Sequence, residues 1–293
     1  MTLSTRTRQL LNFAGSCLAF AGLGYVGIRV HDYWSDLSSL TLSSASWLGI
    51  ISLSIVHGGA NIFFVLAWGN LLRNFQTPLP ILLTTKIFGI SQLAKYIPGN
   101  VAHFAGRQAL GMSHGVVAGP LAKSLVWELA LLAVAAAQFG WIAMAAMTPQ
   151  LSHHSGIALF CSSVILTTYA CWRLFSPDVS RSFLYEVLFF VTSAFVFSGL
   201  ASLVLEIEGL TLAHYLSIGG AYIVAWLIGF VTPGAPAGMG VREAVLLHLL
   251  AGLVPENGLL IIVLLARLAS VIGDLLVFFV AVVAPAPSPG CGE

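Results

Sequence analysis

The sequence predicts an all-α polytopic membrane protein with six spanning helices and two helical hairpins broken by proline-glycine pairs. Hydrophobic residues make up 58% of the 293 residues and charged residues only 8%, and the mean hydropathy is +0.95. Soluble domains carry about 25% charged residues, so this chain cannot cover a globule with polar surface. Apolar runs long enough for a bilayer core of about 30 Å recur along it, and proline-glycine pairs interrupt two of them.

Six apolar runs are candidate spans, because each supplies the roughly 20 residues that a membrane helix needs. They cover residues 9–29, 46–71, 120–147, 156–175, 183–205 and 258–284. The first run follows Arg6 and Arg8, but it is long for a signal segment and has no small-residue cleavage site followed by a soluble domain. We therefore expect a retained first helix, a single transmembrane domain over residues 1–284, and a disordered tail over residues 285–293.

Two further apolar stretches are each interrupted near the middle by a proline-glycine pair. They cover residues 81–117, with Pro98-Gly99, and residues 212–253, with Pro233-Gly234. Proline removes a helical hydrogen bond and glycine permits a sharp reversal, so each stretch predicts two helical arms that meet at a bend. The proline precedes an arginine by nine positions in both stretches, Arg107 in the first and Arg242 in the second. Weak internal symmetry of this form is typical of transporter binding sites.

Basic residues near the span ends indicate the orientation, since cytoplasmic loops carry an excess of lysine and arginine. With a cytoplasmic N-terminus, only Arg29 falls outside, whereas the cytoplasmic arginines are Arg6, Arg8, Arg73, Arg173 and Arg181. Both termini are therefore expected in the cytoplasm. The predicted spans between the two hairpins are odd in number, so the hairpins are expected to enter from opposite sides as an inverted repeat. The lengths of the arms leave open whether the hairpins are re-entrant or fully spanning.

Ionisable residues within or against the predicted membrane segments are the candidate functional residues. They are Lys86, Lys95, Arg107, Glu128, Glu186, Arg242, Glu243, Arg267 and Asp274. A basic residue at the bilayer centre costs about 2.5–3.5 kcal/mol on insertion scales, so these residues must be paired or hydrated. One interpretation is a set of internal ion pairs, Arg107 with Glu128 together with Arg242 or Arg267 with Glu243 or Asp274.

The other interpretation is an anion site shared by the two bends. A bend exposes the first backbone N–H groups of its second arm, and the planar guanidinium of arginine suits two hydrogen bonds to phosphate. Two bends that converge near the membrane midplane therefore predict a site of phosphate size. We expect substrate contacts from Lys95, Pro98, Gly99, His103, Arg107, Pro233, Gly234, Arg242 and Arg267, and ion pairing or proton coupling from Glu128, Glu243 and Asp274. His103 is expected either to bind phosphate, to carry a coupling proton, or to pack in the core.

The segments around the two bends also resemble signatures of a known family. Lys95-Tyr96-Ile97-Pro98-Gly99-Asn100-Val101, followed by His103 and Gly106-Arg107, resembles the KYIPG…GR segment of the lysylphosphatidylglycerol synthase transmembrane, or flippase-like, family. Pro233-Gly234 through Gly238-Met239-Gly240-Val241-Arg242-Glu243 resembles its PGG.G.RE signature, and Arg267 a weaker third one. The resemblance runs over essentially the whole chain.

This resemblance implies lipid translocation across the inner (cell) membrane. The implied lipids are aminoacylated phosphatidylglycerol and related polyprenyl-phosphate- or hopanoid-linked lipids. The chain departs from the family in two ways. No soluble aminoacyl-transferase domain follows the spans, so lysine transfer is not expected, and the second motif reads Pro-Gly-Ala-Pro-Ala-Gly, one proline richer than the pattern, which leaves the shape of that bend open.

The favoured function is a lipid flippase, not an enzyme, whose partner is a membrane lipid with an anionic headgroup. We expect no cofactor, no metal ion and no nucleic-acid partner, while a homo-oligomer or a complex with lipid or glycan biosynthesis enzymes stays open. Without a nucleotide-binding motif, pumping would need an ion gradient, a partner or downhill flow. Two alternatives remain: an integral membrane transferase that modifies a lipid headgroup with Glu128 or Glu243 as base, and a scaffold for a synthesis complex.

Overall fold

The protein is all-helical over the residues that the structure, a computed structural model, describes. These residues are 43–97, 102–148, 151–205, 211–232, 240–251 and 253–284, with Arg6, Gln9, Leu10 and Phe13 near the N-terminus. Most of the predicted first span, 9–29, and the whole tail, 285–293, lie outside the described residues. So do Pro98, Gly99, Pro233 and Gly234, which carry the two predicted bends.

Ten α-helices follow one another along the described ranges, with one short 3₁₀ turn (Leu93–Tyr96) after the second. They are α1 (Ser44–Asn74), α2 (Ile81–Gln92), α3 (Ala102–Ser113), α4 (Ala118–Gln138), α5 (Gly140–Met147), α6 (His153–Leu174), α7 (Pro177–Leu205), α8 (Leu212–Val231), α9 (Val241–Leu249) and α10 (Glu256–Val283). Side chains close several of the helix N-termini. In α1, the Ser43 hydroxyl accepts from the Ser46 N–H at 3.1 Å, the usual N-cap bond.

Six helical segments among the described residues are long and apolar enough to cross a membrane. They are Ser44–Asn74, Ala118–Met147, His153–Leu174, Pro177–Leu205, Leu212–Val231 and Gly258–Val283. The chain is therefore a multi-pass α-helical membrane protein. All but Leu212–Val231, which is the first arm of the second predicted hairpin, coincide with predicted spans.

The structure corrects one span boundary and shows a local break inside a second span that it otherwise retains. The helix predicted from residue 183 begins at Pro177, because proline is well tolerated at the first helical position and the polar first turns continue the helix beyond its apolar part. The span predicted over residues 120–147 is interrupted at Phe139, where α4 ends and α5 begins. Apolar runs indicate which part of a helix contacts lipid. They do not indicate a polar extension of that helix or a local break within it.

The second arms of the two predicted hairpins are short. Helix α3 has 12 residues and α9 has 9, so at 1.5 Å per residue they measure about 18 Å and about 13 Å. Neither reaches across a hydrocarbon core of about 30 Å. Gly240 precedes α9 with φ +82°, a left-handed conformation that favours glycine, and its N–H donates to the Glu243 carboxylate at 2.6 Å.

Helix packing follows the same pattern in the two halves of the described chain. Helices α1 and α7 pack on each other; α1 also packs on α2, α4 and α10, whereas α7 packs on α8, α10 and α4. Helix α2 contacts α3 and α10, and α8 contacts α9 and α4. Finally, α3 packs on α4 and α9 packs on α10. Each of these contacts has a counterpart when α1–α4 are exchanged with α7–α10.

Candidate functional site

A cavity of about 320 Å³ lies between α1–α4 and α7–α10. Its volume is at the lower end of the roughly 300–1,000 Å³ typical of small-molecule pockets. Its lining includes all of the predicted substrate-contacting residues that the structure describes, together with two predicted carboxylates. These residues are Lys95, His103, Arg107, Glu128, Arg242, Glu243 and Arg267. Asp274 is fully buried and forms an ion pair with Lys95.

Arg107 on α3 is 2% exposed and forms an ion pair with Glu128 on α4. Its Nη2 donates to both carboxylate oxygens, at 2.9 Å and 2.8 Å. Its Nε and Nη1 are buried with no hydrogen-bond partner. The guanidinium carbon lies 5.0 Å from the centre of the Trp68 ring and 5.4 Å from that of Phe104, within the range of cation–π attraction. The ion pair and the aromatic rings hold this cation in place while two of its nitrogens stay free to bind an acceptor.

Lys95, in the 3₁₀ turn after α2, forms its ion pair with Asp274 on α10. The Tyr96 hydroxyl donates to the same carboxylate, and the Gln92 amide donates to its other oxygen at 3.4 Å. Gln92 also donates to the Asn61 side-chain oxygen on α1 at 3.4 Å. This network joins three helices at the cavity wall and fixes the lysine that lines it.

Arg242 differs from the other three cations, because within the described residues it has no carboxylate partner. Its Nε is buried and has no hydrogen-bond partner, and its guanidinium carbon lies 5.6 Å from the centre of the Trp226 ring. The neighbouring acid, Glu243, instead forms an ion pair with Arg267 on α10. Buried nitrogens without partners are rare in folded proteins, so Arg242 favours an acceptor that the described residues do not supply.

Charge balance in the cavity region favours an anion. The cations are Lys95, Arg107, Arg242 and Arg267, and the paired acids are Glu128, Glu243 and Asp274. Among the described residues, these four cations and three paired carboxylates leave one positive charge, carried by Arg242. His103 also lines the cavity, and its Nδ1 is buried without a partner.

Aromatic side chains form much of the remaining wall. Trp226 and Phe230 of α8 stack with ring centres 5.0 Å apart, and Trp226 contacts Phe190 of α7 at 4.9 Å. Tyr222 stacks on Phe197 at 4.2 Å. These rings make much of the cavity wall apolar, and a low-polarity surrounding strengthens electrostatic attraction.

The ion pairs considered from the sequence differ in part from those observed. The pairs Arg107–Glu128 and Arg267–Glu243 are present, whereas Asp274 pairs with Lys95 and not with an arginine. Sequence spacing does not show that the turn after α2 packs on α10, and this packing brings Lys95 to Asp274.

Sequence reasoning also missed several residues of the site. Asn61 and Gln92 line the cavity, and Tyr96 donates to Asp274. The signal was available, because Asn61 and Gln92 are amides inside apolar segments, where an unsatisfied polar group is costly.

Glu186 on α7 is fully buried, and neither of its carboxylate oxygens has a hydrogen-bond partner.

Known proteins do not identify the chain. No protein-family model matches it, and no curated protein matches it. Among the described residues, no group of three or more histidine, cysteine, aspartate and glutamate side chains is placed to hold a metal ion.

Proposed function

We propose that this protein is a lipid flippase that carries an anionic, phosphate-bearing headgroup across the cell membrane through the cavity between α1–α4 and α7–α10. The observation that carries the proposal is the excess positive charge of Arg242 in the same cavity as two buried nitrogens of Arg107 that lack partners. A phosphate supplies several strong acceptor oxygens, and arginine binds them through paired hydrogen bonds. The lipid's acyl chains stay in the bilayer while the headgroup crosses.

The binding step follows from the ion pairs. The headgroup first meets Arg242, which no described carboxylate neutralises. Arg107 then donates from its two free nitrogens without breaking its bonds to Glu128. Lys95 and Arg267 are held by Asp274 and Glu243 when the cavity is empty, so they adjust to the headgroup by exchanging a carboxylate for a phosphate oxygen.

The matching helix contacts support an inverted repeat of α1–α4 and α7–α10. In this arrangement the short arms α3 and α9 are re-entrant and bring Arg107 and Arg242 into one cavity from opposite sides of the membrane. Repeats of this kind permit alternating access, in which one half rocks against the other around a fixed site. The resemblance of the bend motifs to the flippase-like family implies the same function in the inner membrane, and the arginine bias implies that both termini lie in the cytoplasm.

The proposal is tested with the purified full chain in liposomes of phosphatidylcholine that carry a trace of fluorescent phosphatidylglycerol. Headgroup translocation is followed by quenching of the outer leaflet with a reductant that does not cross the membrane. Arg242→Ala is expected to reduce the rate by about 10- to 150-fold, since a hydrogen bond to a charged group contributes about 1.5–3 kcal/mol, and the variant also removes the excess charge.

Two further measurements complete this test. Arg73→Ala is the matched control, because Arg73 is a half-exposed arginine at the end of α1 that pairs with Asp178, outside the cavity. It is expected to leave the rate unchanged. Equal rates for wild type, Arg242→Ala and empty liposomes would refute the flippase. Mass spectrometry of the lipids after the assay would reveal a transferase by a changed headgroup.

A further inference from the structure

Glu186 is a buried acid that the proposed transport step does not use. It lies on α7, is 0% exposed, and neither of its carboxylate oxygens has a hydrogen-bond partner. An ionised carboxylate in such surroundings is strongly disfavoured unless a cation or several donors compensate it. Glu186 has neither among the described residues, so the neutral acid is the form that this site accommodates.

The position of Glu186 connects it to the cavity. It precedes Phe190 by one helical turn and Ser193 by two, which places all three on one face of α7. Phe190 and Ser193 line the cavity, and the Ser193 hydroxyl is also buried without a partner. In the other direction, Glu186 lies nine residues from the start of α7 at Pro177, about 13 Å along the helix axis.

Helices α1, α4, α6, α8 and α10 pack on α7 and carry the titratable groups that could interact with Glu186. Helix α4 brings Glu128 and α6 brings Cys171 into electrostatic interaction with it. Other titratable groups on the helices packed against α7 have contacts away from Glu186. On α1, His57 contacts Phe189, and Arg73 pairs with Asp178 at the start of α7. Tyr222 of α8 stacks on Phe197, and Asp274 of α10 pairs with Lys95. Glu128 is already held by Arg107, and no cation among the described residues forms an ion pair with Glu186.

We propose that Glu186 is a proton-binding site and that the proton it holds crosses the membrane together with the anionic headgroup. The inference rests on the proposed function and deepens it by naming the coupling ion. With Glu186 protonated, the cavity region carries one excess positive charge and attracts the headgroup. With Glu186 ionised, the four cations face four carboxylates, the excess charge is gone, and the headgroup is released. A proton and an anion therefore bind together and leave together, so that the carried pair has no net charge.

The proton site is tested first, without any transport. Infrared difference spectroscopy of the full chain in phosphatidylcholine liposomes detects the C=O stretch of a protonated carboxylic acid at neutral pH. This band is expected in wild type, lost in Glu186→Gln and shifted but retained in Glu186→Asp, while Cys171→Ala, a change beside Glu186 that removes no carboxyl group, keeps it. Absence of the band in folded wild type, or its persistence in folded Glu186→Gln, would overturn the proposal.

Coupling is tested by imposing a pH difference of one unit across liposomes that contain a trace of fluorescent phosphatidylglycerol. One proton carried with each headgroup predicts a final leaflet ratio of about tenfold, with the lipid enriched on the alkaline side, because one pH unit corresponds to a factor of ten in free proton. Glu186→Gln is expected to give no enrichment. Translocation in wild type that ignores the pH difference would refute coupling. A wild type that shows the acid band but moves no phosphatidylglycerol would refute the flippase and leave the proton site standing.

Discussion

Arg107 shows how one residue places a positive charge inside a membrane protein. Its ion pair with Glu128 is almost fully shielded, with side chains 2% and 7% exposed. The second arginine pair, Arg267 with Glu243, is more accessible, at 31% and 19%. Burial makes a broken pair costly, since the partner that remains is an uncompensated charge, whereas solvent compensates a more exposed one. Loss of one partner is therefore expected to lower the free energy of unfolding more for Arg107–Glu128 than for Arg267–Glu243.

This difference predicts the effect of neutralising each acid. Glu128→Gln is expected to lower the free energy of unfolding by about 3–5 kcal/mol, because it strands the Arg107 charge. Glu243→Gln is expected to lower it by about 1 kcal/mol or less, since its pair is partly solvated. Thermal unfolding of the detergent-solubilised chain, followed by size-exclusion chromatography, measures both. Equal losses for the two variants would contradict the burial argument.

At the scale of single residues, the sequence identifies the charges better than their partners. The cost of a charge in the membrane singles out Lys95, Arg107 and Arg242 without any structure. It does not show that Lys95 pairs with Asp274, because these residues lie on elements far apart in sequence. Nor does it rank Glu186 above other acids, because full burial without a partner is a property of packing on α7.

At the scale of helices, the closest approach that bears on the cavity is between α1 and α10. A methyl group added at Gly273 would lie 2.8 Å from the Gly58 nitrogen and 2.9 Å from its Cα. These are backbone atoms, so the methyl group cannot be accommodated by a side-chain rotation. Small residues allow such close approach in membrane helix pairs. His57, adjacent to Gly58, lines the cavity, so this crossing also positions the cavity wall.

We therefore expect Gly273→Ala to destabilise the chain by about 1–3 kcal/mol through overpacking, and to slow headgroup translocation by displacing His57. Gly59→Ala is the matched control, because a Cβ at this neighbouring glycine of α1 meets nothing within 4 Å. It is expected to be neutral or slightly stabilising, since alanine favours helix more than glycine does. Thermal unfolding and the fluorescent-lipid assay are run on both variants. Similar behaviour of the two would contradict a tight crossing at Gly273.

A hydropathy pattern predicts that a membrane helix is present, but it does not predict where that helix begins or breaks. Apolar length is enough to predict the helices α1, α6 and α10, because a membrane helix satisfies its own backbone hydrogen bonds. It does not predict the break at Phe139 or the start of α7 at Pro177. Those features depend on neighbouring helices and on polar residues at the membrane surface, which local sequence does not specify.

At the scale of the whole molecule, the matching contacts of α1–α4 and α7–α10 have a topological consequence. If the two halves are inverted repeats, the turn after α3 and the turn after α9 lie on opposite sides of the membrane. The arginine bias places the first turn in the cytoplasm and the second outside. His114 and Ala251 are exposed positions in these two turns and report the two sides independently.

The inverted repeat is tested by labelling single cysteines introduced at these positions, after replacement of the native Cys17, Cys161, Cys171 and Cys291. A maleimide that cannot cross the membrane is applied to intact cells and to inside-out vesicles. His114→Cys is expected to react only in inside-out vesicles, and Ala251→Cys only in cells. Reaction of both from the same side would mean that the halves run parallel, and α3 and α9 would then enter the membrane from one face. The two short arms could then not open the cavity first to one side of the membrane and then to the other. The proposed alternating-access mechanism would be wrong.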